Sequence, residues 1–303
     1  MKHLFIVNPI SGSGRAYEIV CGRLSSLPKN DLAKTHITVS KGDGERFVRE
    51  YLSENSEPVR VYACGGDGTL NEVVNGIAAV PGRGNVSLAI LPCGSGNDFI
   101  KCFGEKEDFL NLAALSNGRE IAVDLMKVND RACINVCHFG FDSYVAAKMN
   151  EVRSKKIIGG TNAYTTGVIC GLVKAMHNHA VIKADGETLC TGDFLLCTVA
   201  NGRYVGGKYK CAPQAKVNDG LLDICVAEPV SRLTFVRLVK YYAEGTHLTD
   251  PRFKSFLHYK QCKSVTIEAG EGFKISLDGE IVQMSSAAIS VLPGAIKLFL
   301  YNG

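Results

Sequence analysis

The sequence is short of the features that would assign a function class at once. No apolar run reaches the roughly 18 residues a helix needs to cross a bilayer. The opening MKHLFIVNPISGSG has too brief an apolar stretch for a signal peptide and is expected to form a first strand. The net charge of +4 is too small to argue for nucleic acid, and no basic and aromatic residues interleave to bind it. The twelve cysteines form no CxxC pair. Cys133 and Cys137 come nearest, with no second pair to complete a cluster. A metal cluster or a disulfide framework is therefore not expected, and small buried thiols in a reducing cytosol are. The seven histidines show no zinc-ligand spacing and no Ser-His-Asp order. Internal repeats and low-complexity segments are also missing. What remains is an ordinary globular composition, 46% hydrophobic and 21% charged, on a 303-residue chain long enough for two domains.

Glycine, by contrast, is abundant and placed. Val61-Tyr-Ala-Cys-Gly-Gly-Asp-Gly-Thr-Leu-Asn-Glu-Val-Val-Asn-Gly76 reads as the end of a buried strand, a glycine-rich turn and a helix from about Thr69. Such a turn offers backbone N–H groups at the positive end of a helix, a place suited to phosphate. An acid inside it, Asp67, implies a cation between carboxylate and phosphate, and Mg²⁺ is the natural one. Two similar turns follow other strands: Asn8-Pro-Ile-Ser-Gly-Ser-Gly14 after residues 4–7, and Pro92-Cys-Gly-Ser-Gly-Asn-Asp-Phe99 after residues 86–91. A strand at 37–39 ends in Ser40-Lys-Gly-Asp-Gly44. Ligands of open α/β folds bind at the carboxyl ends of parallel strands, so these turns should share one edge. After Gly118 the pattern changes to short alternating strands with hairpin signals at Asn129-Asp130, Asp185-Gly186 and Asp278-Gly279. Two helical stretches, about 161–177 and 232–242, interrupt them.

These residues resemble the diacylglycerol kinase catalytic family, in particular the short bacterial lipid kinases that are also similar to sphingosine and ceramide kinases. The resemblance rests on NPISG (8–12), GGDGTLNEVVNG (65–76), LPCGSGND (91–98), VDLMKVN (123–129), FGFDSYVA (139–146), ANGRYVGGKYKCAP (200–213), NDGLLDI (218–224) and DGE (278–280), in order over nearly the whole chain. It implies a three-layer α/β nucleotide-binding domain like those of NAD kinase and phosphofructokinase over residues 1–122, then an antiparallel β-sandwich over 123–295. Whether residues 296–303 return as a last strand to the first domain or join the second is left open by the sequence.

The activity implied is ATP- and Mg²⁺-dependent transfer of the γ-phosphoryl to a lipid hydroxyl, with diacylglycerol the leading acceptor. ATP would be met by Asn8, Gly12, Ser40, Gly65, Gly66, Asp67, Gly68, Thr69, Leu70, Asn71 and Ser95. Threonine is common in the family where this chain has Ser40 and Ser95, and the hydroxyl is retained. Val205 replaces a frequent aromatic. Asp67, with Asp98 and Asp124, would organise the catalytic Mg²⁺, largely through water, and Glu280 would accept the proton from the lipid hydroxyl. A second, structural Mg²⁺ would take the Asp219 carboxylate and the backbone carbonyls of Lys216 and Leu221.

Alternatives stand beside this. GGDGT also occurs in NAD kinases, so an NAD-kinase-like phosphotransferase is one, and a non-catalytic nucleotide-binding regulatory protein is another. Without the resemblance, Asp278-Gly279-Glu280 reads as an ordinary hairpin turn and Asp124 as a solvated strand position. A soluble, cytoplasmic enzyme peripheral to the membrane is expected, reaching its lipid by transient surface contact. The basic run 153–156 is one candidate for that contact, and a homodimer is left open.

Overall fold

Leu4 and Ile6 point one way from the first strand and Phe5 and Val7 the other, and all four are fully buried. A strand that buries both faces must lie between two layers, and the computed structural model of the chain has that arrangement. It describes residues 1–25, 27, 31–82, 84–111, 118–154 and 160–301, with the side chains of 153, 154 and 160–165 outside the description. Strands β1 (Lys2–Val7), β2 (Leu32–Ile37), β3 (Val59–Gly65) and β4 (Val86–Pro92) run parallel in the order β2-β1-β3-β4. Helix α1 (Ala16–Leu24) packs Ala16 and Val20 against the Phe5 and Val7 face. Helices α2 (Asp43–Glu54) and α3 (Asp67–Ala78) cover the Leu4 and Ile6 face with Val48, Leu52, Val73 and Val74. This is the expected three-layer α/β domain. The second strand lies at 32–37 rather than 37–39, because its alternation is weak on a largely exposed edge.

The second half consists of antiparallel strands: β5 (Arg119–Val128), β6 (Arg131–Cys133), β7 (Val136–Gly140), β8 (Asn178–Ala184), β9 (Glu187–Phe194), β10 (Leu196–Ala200), β11 (Leu222–Ala227), β12 (Leu257–Cys262), β13 (Ser264–Ala269), β14 (Lys274–Leu277), β15 (Glu280–Gln283) and β16 (Ser286–Leu300). One sheet has the order β12-β11-β10-β7-β14-β15. It faces β16, β13 and β8 across a core that includes Phe139, Cys197, Ile224, Ile267, Ile275 and Ile289, as the expected sandwich requires. The three hairpin signals are real turns with left-handed backbone: Asn129 at φ 52°, Asp185 at 49° and Asp278 at 49°.

The two domains are not simply strung together. β16 pairs with β13 through residues 286–290, bends at Leu292–Ile296, and then lies parallel to β4 through Lys297 and Leu298. A single strand thus joins sandwich and α/β sheet into one ten-stranded sheet. β5 runs beside it from Arg119 to Val128, straight through the boundary expected at 122. Among the described residues three α-helices, not two, serve the second half: α4 (Phe141–Ser154), α5 (Gly160–Lys174) and α6 (Arg232–Glu244). α4 falls on the FGFDSYVA motif, where Gly140 at φ 75° turns the chain out of β7. The basic run 153–156 lies outside the described residues and side chains. All twelve cysteines are free, and the strand thiols such as Cys137 and Cys197 are driven well up in pKa by burial, as inert packing groups are.

Candidate active site

Because β1, β3 and β4 are neighbours, the turns that follow them touch. A Cβ on Gly12, at φ 63°, would fall 2.7 Å from the Cys93 carbonyl oxygen, and one on Gly94 would fall 2.5 Å from the Gly66 Cα. A Cβ on Gly96 would strike the Asp67 carboxylate, and one on Gly65 the Thr69 side chain. Most of these glycines are therefore required by close approach of backbones, and only Gly12 and Gly14 among them by positive φ. Helix α3 begins at Asp67, two residues before the expected start. With Gly66 as the preceding cap residue, the N–H groups of Asp67, Gly68 and Thr69 lie in the first turn, where no helical carbonyl can receive them. This is the anion-binding end of a twelve-residue helix.

Asp67 sits in that turn with one hydrogen bond on each oxygen: Oδ2 accepts from the Asn97 N–H at 3.0 Å and Oδ1 from the Asp98 N–H at 2.8 Å. Burial and then the Asp98 charge push its pKa up to about 7, against the pull of those two N–H donors. A carboxylate so short of positive charge, with a lone pair remaining on each oxygen, fits a cation held through water. The Thr69 hydroxyl beside it is buried without a partner. Asp98 is brought to the same place by the 97–98 turn, where Asn97 has φ 50°. Its Oδ1 accepts from the Lys101 Nζ at 2.6 Å and from the Gly207 N–H at 2.9 Å, which ties the ANGRYVGGKYK loop to the site. Among the described residues no group of three His, Cys, Asp or Glu side chains gathers as a ready metal cage.

Glu280 reaches the site from the other domain. It opens β15, and its Oε1 stands 2.9 Å from where a Cβ on Gly68 would lie; Lys41 pairs with its other oxygen. The turn before it is anchored by Asp278, which the sequence marked only as a hairpin corner. Its Oδ1 accepts from the N–H groups of Asn135 (2.9 Å) and Val136 (3.1 Å) and from the Cys133 thiol (2.9 Å). Its Oδ2 accepts from Ile134 N–H and from the Asn71 amide, each at 3.0 Å. The α3 motif also supplies Asn75, which donates to the Ala132 carbonyl at 2.9 Å and accepts from its N–H at 2.9 Å. Glu72 accepts from the N–H groups of Gly42 (2.7 Å) and Gly44 (3.0 Å), which fixes the turn that carries Ser40 and Lys41. The run Asn-Glu-Val-Val-Asn was the available signal, since polar residues at 71, 72 and 75 on a buried helix need partners.

The remaining sequence candidates divide. Ser40 and Ser95 are exposed on the rim turns, and Asn8 turns its side chain back to the Ile10 N–H at 3.2 Å. Leu70 is buried in the core beneath the turn. Asn71 was expected at the phosphates, but its amide donors are used by Asp278 and by the Ala132 carbonyl across the domain seam. Asp124, expected beside Asp67 and Asp98, is drawn elsewhere. Its two oxygens accept from Gly220 N–H and Gly294 N–H at 2.7 Å each, and its own N–H donates to the Val217 carbonyl at 2.7 Å. It therefore shapes the loop that holds Lys216, Asp219 and Leu221, and Asp219 itself accepts from Leu221 N–H at 3.1 Å. The buried histidines do not join either place: burial pushes both His138 and His247 down to about 4, so they are neutral.

The family described as the diacylglycerol kinase catalytic domain matches residues 2–128, and the one described as the YegS C-terminal NAD kinase beta sandwich-like domain matches residues 135–300. A relative from Pseudomonas aeruginosa named "Probable lipid kinase YegS-like" is 34% identical over 272 residues, 88% of this chain and 84% of that one. The "Diacylglycerol kinase" of Bacillus subtilis is 30% identical over 81% of this chain and 78% of its own. A crystal structure of a Bacillus anthracis diacylglycerol kinase shares the fold with a TM-score of 0.70, covering 99% of this chain and 97% of that one at 24% identity. Yeast NADH kinase complexed with NADH shares the fold more distantly, with a TM-score of 0.50 at 11% identity over 100% of this chain and 84% of that one. Fold and relatives together place the chain among the lipid kinases. It belongs to the diacylglycerol kinase catalytic family.

Proposed function

We propose that the protein transfers the γ-phosphoryl of ATP to the hydroxyl of a lipid alcohol, with diacylglycerol as the leading acceptor and Mg²⁺ required. The observation that carries this reading is Glu280, held by the Asp278 turn against Gly68 at the start of α3. A carboxylate at the anion-binding end of a helix, its charge offset by the Lys41 ammonium, stands where phosphate would be transferred and can take a proton there. An incoming alcohol supplies one.

The N–H groups of Gly68 and Thr69 would receive phosphate oxygens, with Gly12, Ser40 and Ser95 lining the approach of the nucleotide. The acceptor oxygen attacks the γ-phosphorus as the bond to the β,γ-bridging oxygen breaks, and that electron pair leaves on ADP. Glu280 takes the hydroxyl proton as the new bond forms. Lys41, paired with Glu280, places a positive charge where charge on the phosphoryl oxygens develops. Asp67, with Asp98 behind it, would hold Mg²⁺ through water. When bound, the metal neutralises phosphate charge and orients the transferred group. A second cation at Asp219 and the carbonyls of Lys216 and Leu221 would be structural, in a loop that Asp124 already shapes. No described helix is long and apolar enough to cross a membrane, so the acceptor would be met by contact with a lipid surface.

The test is label transfer from γ-labelled ATP, with Mg²⁺, to detergent micelles that carry a panel of lipid alcohols headed by diacylglycerol, beside an NAD control. Label in a lipid supports the reading and names the acceptor. Label in NAD, with none in any lipid, overturns it in favour of the NAD-kinase-like alternative.

A further inference from the structure

The end of helix α5 meets the start of α6 where the Arg232 Nε donates to the Leu172 carbonyl at 2.6 Å. Their inner faces are partly buried. Phe235 lies 4.7 Å from Phe141, ring centre to ring centre, and Val168 and Leu172 close over the same cluster. Their outer faces are not. Ile169 and Val173, one turn apart on α5, are 58% and 66% exposed, and Leu233 and Val236 on α6 are 60% and 57% exposed. Large aliphatic side chains left exposed on two helices that meet at this bond are a feature that water alone does not explain.

Charge on these two helices is mostly of one sign, whereas the acids of the neighbouring α4 include Glu151, which pairs with Lys148. α5 has no acidic residue, and α6 has only Glu244, at its last position, against Arg232, Arg237 and Lys240. Lys174, Arg237 and Lys240 are exposed and, among the described residues, form no ion pair with a carboxylate. An apolar stripe flanked by uncompensated cations is the pattern of a helix lying in the interface of an anionic bilayer.

The outer face of α6 is also connected to the site. The Lys210 N–H donates to the Ala243 carbonyl near the end of α6 at 3.1 Å, and Val205 and Tyr209 exchange backbone hydrogen bonds at 2.9 and 3.0 Å. Within that loop Gly207 reaches Asp98. A thirteen-residue helix is about 20 Å long, so the outer face of α6 lies within a short reach of the loop that closes on Asp98.

We propose that the outer face of α5 and α6, centred on Ile169, Val173, Leu233 and Val236 and edged by Lys174, Arg237 and Lys240, docks the protein on an anionic lipid surface. The proposal deepens the lipid-kinase reading by naming where that enzyme meets its acceptor, and its first test needs no turnover.

The full chain is sedimented with vesicles of phosphatidylcholine alone or mixed with phosphatidylglycerol, in the absence of nucleotide. Wild type should bind the mixed vesicles. Arg237→Gln with Lys240→Gln should weaken that binding about 25-fold, with little change on pure phosphatidylcholine, at roughly fivefold per basic residue. Leu233→Ser with Val236→Ser should weaken binding to both vesicles roughly tenfold or more. These positions are exposed, and thermal unfolding of each variant checks that the fold is kept. Binding unchanged in both variants, or no binding by wild type, overturns the proposal. So does a dimer in sedimentation velocity that the Leu233 and Val236 changes dissolve, since the face would then belong to a second copy. In a separate arm, the variants should lose phosphorylation of an acceptor embedded in vesicles and keep that of a water-soluble short-chain acceptor. If neither acceptor is phosphorylated by wild type, the kinase reading fails while the vesicle result still decides the face.

Discussion

Two hairpins of this protein are written with the same dipeptide and bend the same way. Asp185-Gly186 has φ values of 49° and 83°, and Asp278-Gly279 has 49° and 91°. Each aspartate accepts backbone N–H groups from a neighbouring segment. Asp185 takes those of Lys263 and Ser264 on the exposed rim of the sandwich, at 2.9 to 3.2 Å. Asp278, only 8% exposed, takes those of residues 134–136 together with the Asn71 amide from the other domain. One turn closes a hairpin. The other closes a hairpin, pins the domain seam and sets Glu280 against the glycine turn. Local chemistry makes the bend, and the surroundings decide whether the bend has a function.

The contrast can be broken at several strengths. The largest effect is expected for Asp278→Ala, which leaves buried N–H groups without an acceptor. It should cost about 3 kcal/mol or more in denaturant unfolding and bring phosphoryl transfer to background. Gly68→Ala separates position from stability. A methyl group there meets Glu280, so turnover should fall about 10- to 100-fold, as for a misplaced catalytic group, while the unfolding midpoint stays near wild type. Asp185→Ala, the matched change in the other hairpin, should cost about 1 kcal/mol and leave turnover within about twofold. Lys41→Met should act least on stability, within about 0.5 kcal/mol because Lys41 is exposed, and any change in turnover should shrink as salt is raised. If Asp185→Ala and Asp278→Ala behaved alike, the distinction between the turns would fail.

Much of this was legible in the sequence because it is local. Doubly buried strands such as residues 59–65, the glycine turns and the three left-handed hairpin corners all follow from neighbours in the chain. The family motifs likewise marked Asp67, Asp98 and Glu280, which the fold brings to the linked turns around the start of α3. What was not legible depends on distant partners. Asp124 sits on an alternating strand like many others, and only the folded chain shows Gly220 and Gly294 converging on it. The continuity of β16 through Pro293-Gly294 was equally hidden, because proline and glycine ordinarily end a strand. α4 was missed for a different reason. Its start is set by Gly140 and by the Ser143 hydroxyl donating to the Gly140 carbonyl at 2.8 Å, and no strong apolar period announces it.

The central claim is that Glu280 serves the chemical step. Steady-state kinetics of Glu280→Gln, with ATP varied at saturating lipid acceptor, tests it most directly. The account predicts kcat lower by about 10²- to 10⁴-fold, with the KM for ATP changed by no more than a few-fold, because the amide keeps the shape and cannot take the proton. A kcat near wild type, or a loss confined to KM, would contradict it and leave the Asp278 turn as a seam between domains and nothing more.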